Sequence, residues 1–344
     1  MQTDAPIRSA PSTQPERIWA LDFTKGAMIL LMVCYHWANY FIGPSVSFYR
    51  YWHFVPGGFL CITGFMVSQI YFSKYNVTDS RLPRRLFVRG IKILGIFAFL
   101  NTARGLLASR ADYGDTLAYL LSPGGLRAIL VSGQPDTAKL VSFSVLVPIG
   151  YLLILSAGLT IAFRYNKYVF QFATIVAVIG NLILTSFGRT IPNFALLSFG
   201  LLGISIGFIP IKIIEKTRER WYLVSLAYIL YAVAISMWDT VYVLLLPGVP
   251  ASLLLIYIVG MAMGANRWIP QTVILLGRYS LFGYIAQIVI LQILRRIWWH
   301  DIQDFGLVAS FIAVLSLTVA AVAAVDWARR RFRIANRIYM AVFA

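Results

Sequence analysis

Runs of about twenty apolar residues recur along almost the whole chain, and that is the length an α-helix needs to cross the hydrocarbon core of a bilayer. Ten such runs can be marked, at 20–40, 54–73, 87–108, 141–163, 168–187, 191–213, 221–238, 241–263, 272–297 and 305–327. The loops between them are too short to hold a separate soluble domain. Composition agrees: 59% of the residues are hydrophobic and 12% are charged, about half the charged share of a soluble domain. The residue-by-residue alternation of a membrane β-barrel is absent. The expected fold is all-α, a polytopic bundle of about ten transmembrane helices. Segment 112–135 is expected to form a short interfacial or re-entrant helix pair, because Pro123-Gly124-Gly125 interrupts it.

Charge gives the orientation. Residues 1–15 are rich in Pro, Ser and Thr and are expected to be a disordered cytoplasmic tail. Residues 16–330 form the membrane domain, and 331–344 a basic cytoplasmic tail. With the N-terminus in the cytoplasm, the loops near 74–86, 164–167, 212–220 and 265–270 share its side. So do Arg329, Arg330, Arg331, Arg333 and Arg337, and that side then holds most of the 30 Lys and Arg. The positive-inside bias predicts N-in and C-in, in a cytoplasmic (bacterial inner) membrane. Trp52, Trp238, Trp298 and Trp299 then fall at the interfaces, where aromatic anchors belong. The same sidedness absorbs a net charge of +17, which in a soluble protein would point to nucleic acid; none is expected as a partner here. Cys34 and Cys61 lie in apolar runs without metal-ligand spacing, so they are expected as free thiols and no metal site is expected.

The polar residues that stand out of place carry the functional reading. Acids are confined to loops and the ends of runs, with Asp22 at the start of the first and Asp239 at the end of the seventh. Coupled transporters commonly place such acids at mid-membrane. Cations do the reverse: Lys25, Arg89 and Lys92 lie in or just inside apolar runs, with Arg84 and Arg85 at the adjoining boundary. Asp22, one turn from Lys25, neutralises part of this charge. The remainder invites a phosphate-rich ligand from the cytoplasm, while the plainer reading makes the arginines anchors that snorkel to lipid phosphate.

Lys25 and His36 are eleven residues apart on the first run. Eleven helical steps make roughly three turns, so both side chains share one face about 16 Å apart. One group can hold an anionic head while the other works at the far end of a long ligand. The competing role for a lone membrane histidine is a hydrogen bond to a neighbouring helix; the alignment with Lys25 favours catalysis. His53 and His300 fit interfacial positions, and His53 is close enough in topology to His36 to help bind an acceptor. Gly26 admits a close backbone approach, and the stretch Gly57 to Phe65 fits helix packing.

In order along the chain, four features resemble the transmembrane acyltransferase superfamily, the acyltransferase-3 proteins and the relatives of heparan-α-glucosaminide N-acetyltransferase. They are Leu21-Asp22 with Lys25-Gly26 ahead of His36; the stretch Phe59 to Phe65, with Thr63 in place of serine; the basic cluster Arg84, Arg85 and Arg89; and Gly277-Arg278-Tyr279-Ser280-Leu281-Phe282-Gly283-Tyr284. The resemblance covers roughly residues 16–330, and Phe143-Ser144-Val145-Leu146 is similar to the heparan-type branch. Two positions depart from the pattern. Lys25 stands where arginine is commoner, which gives up bidentate phosphate binding, and Gln287 stands where many relatives have histidine.

The resemblance implies an acyl-CoA donor, most simply acetyl-CoA, and a glycan or glycolipid acceptor on the far side of the membrane. Asp22, Lys25, Arg84, Arg85, Arg89 and Lys92 would meet the CoA phosphates. His36 would act as general base on the acceptor or as an acyl-carrying nucleophile. His53, Asn101, Ser280 and Tyr284 are candidates for the acceptor side and for an oxyanion stabiliser. The alternative class is a transporter or flippase for an anionic glycan or lipid, which needs the cations but no base. The acceptor, the acyl group and the oligomeric state, a homodimer included, stay open.

Overall fold

The computed structural model describes residues 18–43, 47–72, 75, 79–107, 118–119, 122–133, 142–238, 241–265, 267–298 and 304–343. The expected tail 1–15, residues 112–117, and Arg110, Lys139, Asp239, Trp299 and His300 lie outside the described residues. Every regular element among the described residues is helical: α1 Trp19–Phe41, α2 Phe54–Met66, α3 Arg81–Leu107, α4 Leu146–Phe163, α5 Val169–Ser186, α6 Pro192–Ile206, α7 Trp221–Trp238, α8 Tyr242–Met263, α9 Trp268–Arg278, α10 Ser280–Trp298, α11 Asp304–Arg331 and α12 Arg333–Phe343. Short turns of helix at Pro123–Leu126 and Arg127–Ser132 occupy the described part of the 112–135 segment.

Among the described residues, seven helical stretches are long and apolar enough to cross a membrane, or eight if α9 and α10 count as one bent span. The chain is an integral membrane protein. Three of the ten expected spans depart from that standard, each for a physical reason. Helix α1 has 23 residues and a length of about 35 Å, but Asp22, Lys25, His36 and Asn39 dilute its apolarity. It packs against α2, α8, α9, α10 and α11, so it meets protein where its neighbours meet lipid. The stretch Ile211–Trp238, by contrast, is 11% buried inside the protein. Helix α6 has 15 residues; it stops at Gly207, and Pro210, with its fixed φ and no N–H, cannot carry the helix on.

The expected span 272–297 is two helices, α9 and α10, which meet at Tyr279 at an angle of 92°. Tyr279 leaves the helical region, with φ −112° and ψ 30°, and its hydroxyl donates to Asp326 of α11 at 2.8 Å. The end of α9 is pressed onto the start of α1. A Cβ on Gly26 would overlap the Val273 carbonyl, and one on Gly277 would overlap the Asp22 carbonyl. The two backbones cross where neither has a side chain, the device by which membrane helices approach closely.

Helix α3 begins at Arg81, so the basic cluster lies within it rather than ahead of it. Helix α4 begins at Leu146; the residues before it, expected as helix from 141, include Phe143 at φ 62°. The region 331–344, expected as a basic tail, contains α12. Its Tyr339 and Phe343 pack on Tyr279 and Phe282, and Lys92 of α3 donates to its Ala341 carbonyl at 3.1 Å. Cys34 and Cys61 are free thiols.

If the α1–α9 crossing sets the position of α1, Gly277→Ala lowers the unfolding free energy by about 2 kcal/mol, the cost of overpacking a contact that cannot relax. Gly95→Ala is the control, because its Cβ meets nothing within 4 Å; it is expected to be neutral or stabilising. Thermal unfolding of the detergent-solubilised proteins decides, and equal melting temperatures would refute the crossing.

Candidate functional site

Two polar regions lie at opposite ends of α1. At its start, Lys25 Nζ and Asp22 Oδ1 are 2.7 Å apart, with their side chains 15% and 7% exposed. Three residues' separation places them on adjacent turns, and the α9 crossing covers the Asp22 backbone. Near the other end, His36 lines a cavity of about 1140 Å³, above the usual range for ligand pockets. Its Nε2 is buried without a hydrogen-bond partner among the described residues.

The cavity gathers residues from six helices and the segments between them. Met32, Tyr35, His36, Asn39 and Tyr40 come from α1, Tyr284 and Ile288 from α10, and His53 from the start of α2; Asn181, Thr185 and Ser186 of α5, Asn193 of α6 and Tyr242 of α8 form the opposite wall. Rings connect the imidazoles: His36 packs edge-on to Tyr35 at 5.3 Å between centroids, Tyr35 stacks on Tyr49 at 4.8 Å, and Tyr49 meets His53 at 5.2 Å. Tyr284 is 6.3 Å from His36 and packs also on Phe59 and Phe143. His36, His53 and Tyr284, singled out separately in the sequence, therefore share one chamber.

Asn101 and Ser280 do not line it. Asn101 is buried on α3, where its amide donates to Phe97 O and Ser142 O and accepts from Ser142 N–H at 2.9 Å. It clamps the segment that carries Phe143 and Ser144 into the cavity wall. A non-glycine residue at positive φ costs about 1–3 kcal/mol, and this clamp holds Phe143 there. Ser280 opens α10 at the bend beside Tyr279, one turn before the cavity-lining Tyr284.

The shared face of α1 is also confirmed in an unexpected form. Between Lys25 and His36 it carries Met28, Ile29 and Met32, all fully buried. Met28 fills the notch at Gly58, and Ile29 lies against Gly283. The stripe is packed core, so a ligand arm along it has to displace side chains; unbranched methionine yields most readily.

The other cations form a separate group. Arg85, Arg89 and Lys92 make a stripe on α3, and Arg84 lies off it, exposed. Arg85 donates to the Tyr75 hydroxyl and Arg89 to that of Tyr71, each guanidinium also lying near the ring of its partner. Helices α1 and α3 share no extended contact. The link between the two groups is α12, whose Tyr339 stands within electrostatic reach of Arg89 and packs on Tyr279. Arg329 sits 4.0 Å over the Tyr339 ring, and Arg330 pairs with Asp326 at 2.8 Å.

The sequence reading missed the opposite wall. Asn181, Asn193 and Tyr242 each place a polar group within or beside an apolar run, and that is the local signal by which they can be found. Gln287 is fully buried and neither of its amide atoms has a partner among the described residues.

No protein-family model matches the chain, and no curated protein or solved structure matches it.

Removing Lys25 takes a close counter-charge away from the buried Asp22 carboxylate, and weakening a buried pair in this way destabilises the fold. Lys25→Met is accordingly expected to melt well below the parent, and the charge-free pair Asp22→Asn with Lys25→Met to recover part of the loss. A double variant no more stable than Lys25→Met would mean that the lysine acts through packing alone.

Proposed function

We propose that this protein transfers an acyl group, most simply acetyl, from cytoplasmic acyl-CoA to a hydroxyl or amine of an acceptor on the other side of the membrane. The observation that carries the reading is His36: its Nε2 is buried and unpartnered at the wall of a large cavity, on the helix whose other end holds a buried Lys25–Asp22 pair.

In this reading the N- and C-termini are cytoplasmic. Lys25 and the α3 cations meet the CoA phosphates, with α12 bordering that region. The pantetheine arm follows α1 by displacing Met28, and the thioester carbonyl arrives beside His36. His36 takes the proton from the acceptor hydroxyl or amine as its oxygen or nitrogen attacks the carbonyl carbon. The carbon–sulfur bond breaks, and the proton passes to the departing CoA thiolate. The products are an acylated acceptor and free CoA. The Tyr284 hydroxyl, at the same wall, is the candidate donor to the developing oxyanion.

Acetyl-CoA at about 100 times its dissociation constant stabilises a binder by roughly 2.7 kcal/mol. His36→Ala is expected to keep that stabilisation in a thermal-shift measurement and to lose release of free CoA by at least a hundredfold. Lys25→Ala is expected to weaken the shift. Unchanged substrate flux in His36→Ala, with no CoA released by either protein, would favour transport of an anionic glycan or lipid instead.

A further inference from the structure

The wall of the cavity opposite His36 is built from neutral groups. Among the described lining residues there is no Asp, Glu, Lys or Arg; the polar atoms come from amides, hydroxyls and the imidazoles of His36 and His53. A site that takes an anionic sugar or a phosphate head ordinarily offers it a cation, because an anion brought out of water needs a counter-charge.

Two amides stand on this wall, and their hydrogen bonding separates them. Asn193 is committed: its side-chain N–H groups donate to Ile129 O at 2.8 Å and Leu130 O at 3.2 Å, pinning the start of α6 to the 127–132 turn. Asn181 is not. It is 1% exposed and lines the cavity, and its amide makes no full-strength hydrogen bond among the described residues; the one polar group set beside it there is the Tyr242 hydroxyl. A buried amide with so little internal hydrogen bonding is costly, so the position disfavours asparagine unless a further group meets it.

The neighbour of Asn181 is Tyr242, whose hydroxyl lies beside the amide. The Ser198 hydroxyl donates to Ala195 O at 2.6 Å. Its contact with Tyr242 at 2.5 Å is then one in which Tyr242 donates and Ser198 accepts. The Tyr242 proton is spent inside the protein, and its oxygen faces the amide as an acceptor. Asn181 supplies two donors and an acceptor. Together they present donors and acceptors side by side, which matches hydroxyls that each give one hydrogen bond and accept another. Phe199 packs on Tyr242 at 5.5 Å between centroids and adds an apolar surface to the same wall.

We infer that Asn181 and Tyr242 form a binding subsite for an uncharged, hydroxyl-bearing unit such as a neutral sugar ring. That this subsite seats the acyl acceptor rests on the acyl-transfer reading; the binding itself does not.

The test is equilibrium binding to the full-length protein in lipid nanodiscs, with octyl glucoside and octyl glucuronide as probes. The two share a tail and a ring and differ by one carboxylate. The uncharged probe is expected to bind at least tenfold more tightly than the anionic one. Asn181→Leu, close in volume but without the amide, is expected to weaken octyl glucoside at least tenfold, and Tyr242→Phe severalfold, while both keep the parent melting temperature within a few degrees. Gly95→Ala, outside the cavity and with nothing within 4 Å of its added Cβ, is expected to bind octyl glucoside as the parent does.

Equal affinity for the two probes, binding unaltered in both Asn181→Leu and Tyr242→Phe, or no binding of either probe overturns the subsite. If neutral-sugar binding and its loss in Asn181→Leu are found while acetyl-CoA neither stabilises the protein nor yields CoA, the subsite stands and the acyl-transfer reading falls.

Discussion

A helix that carries Asp22, Lys25 and His36 cannot be left to face lipid, and much of the architecture follows from covering it. Five helices pack around α1. The tightest approach is made where Gly26 and Gly277 remove side chains from both backbones. That crossing fixes where α9 ends, and with it the bend at Tyr279 that turns one apolar run into two helices. The same enclosure makes a polar helix tolerable: Asp22 and Lys25 pair within one turn, and His36 opens onto a chamber instead of hydrocarbon.

Much of this is written in the sequence. Apolar runs of bilayer length locate the helices, because backbone groups in lipid leave few alternatives to helix. The common face of Lys25 and His36 is a matter of helical period, and the structure keeps it. Other features depend on contacts between distant residues and left little local trace. The break at Tyr279 lies in a run that reads as continuous, since its causes are Asp326 on α11 and the approach of α1. The start of α4 is displaced because Asn101 captures the backbone at Ser142 from another helix. Asn101 itself shows how a buried polar side chain can serve the backbone of a distant segment.

The site was half legible for a similar reason. His36, His53 and Tyr284 could be singled out one at a time, and the fold assembles them around one cavity. The opposite wall consists of neutral residues whose significance depends on whether their hydrogen bonds are already used. Asn181 and Asn193 look alike in sequence. The fold distinguishes them: Asn193 is tied to the Ile129 and Leu130 carbonyls, whereas Asn181 has, among the described residues, only the Tyr242 hydroxyl beside it.

Helix α3 joins the two ends of the molecule mechanically. Arg89 lies near its start, and Asn101, which holds the Phe143 segment of the chamber wall, lies about 18 Å further along the same uninterrupted helix. A rod of that kind tilts as a unit. Arg89 with its Tyr71 partner, Lys92 with the Ala341 carbonyl, and Asn101 with the Ser142 backbone are all fastened to that one rod, so the cationic stripe and the chamber wall share a single rigid support.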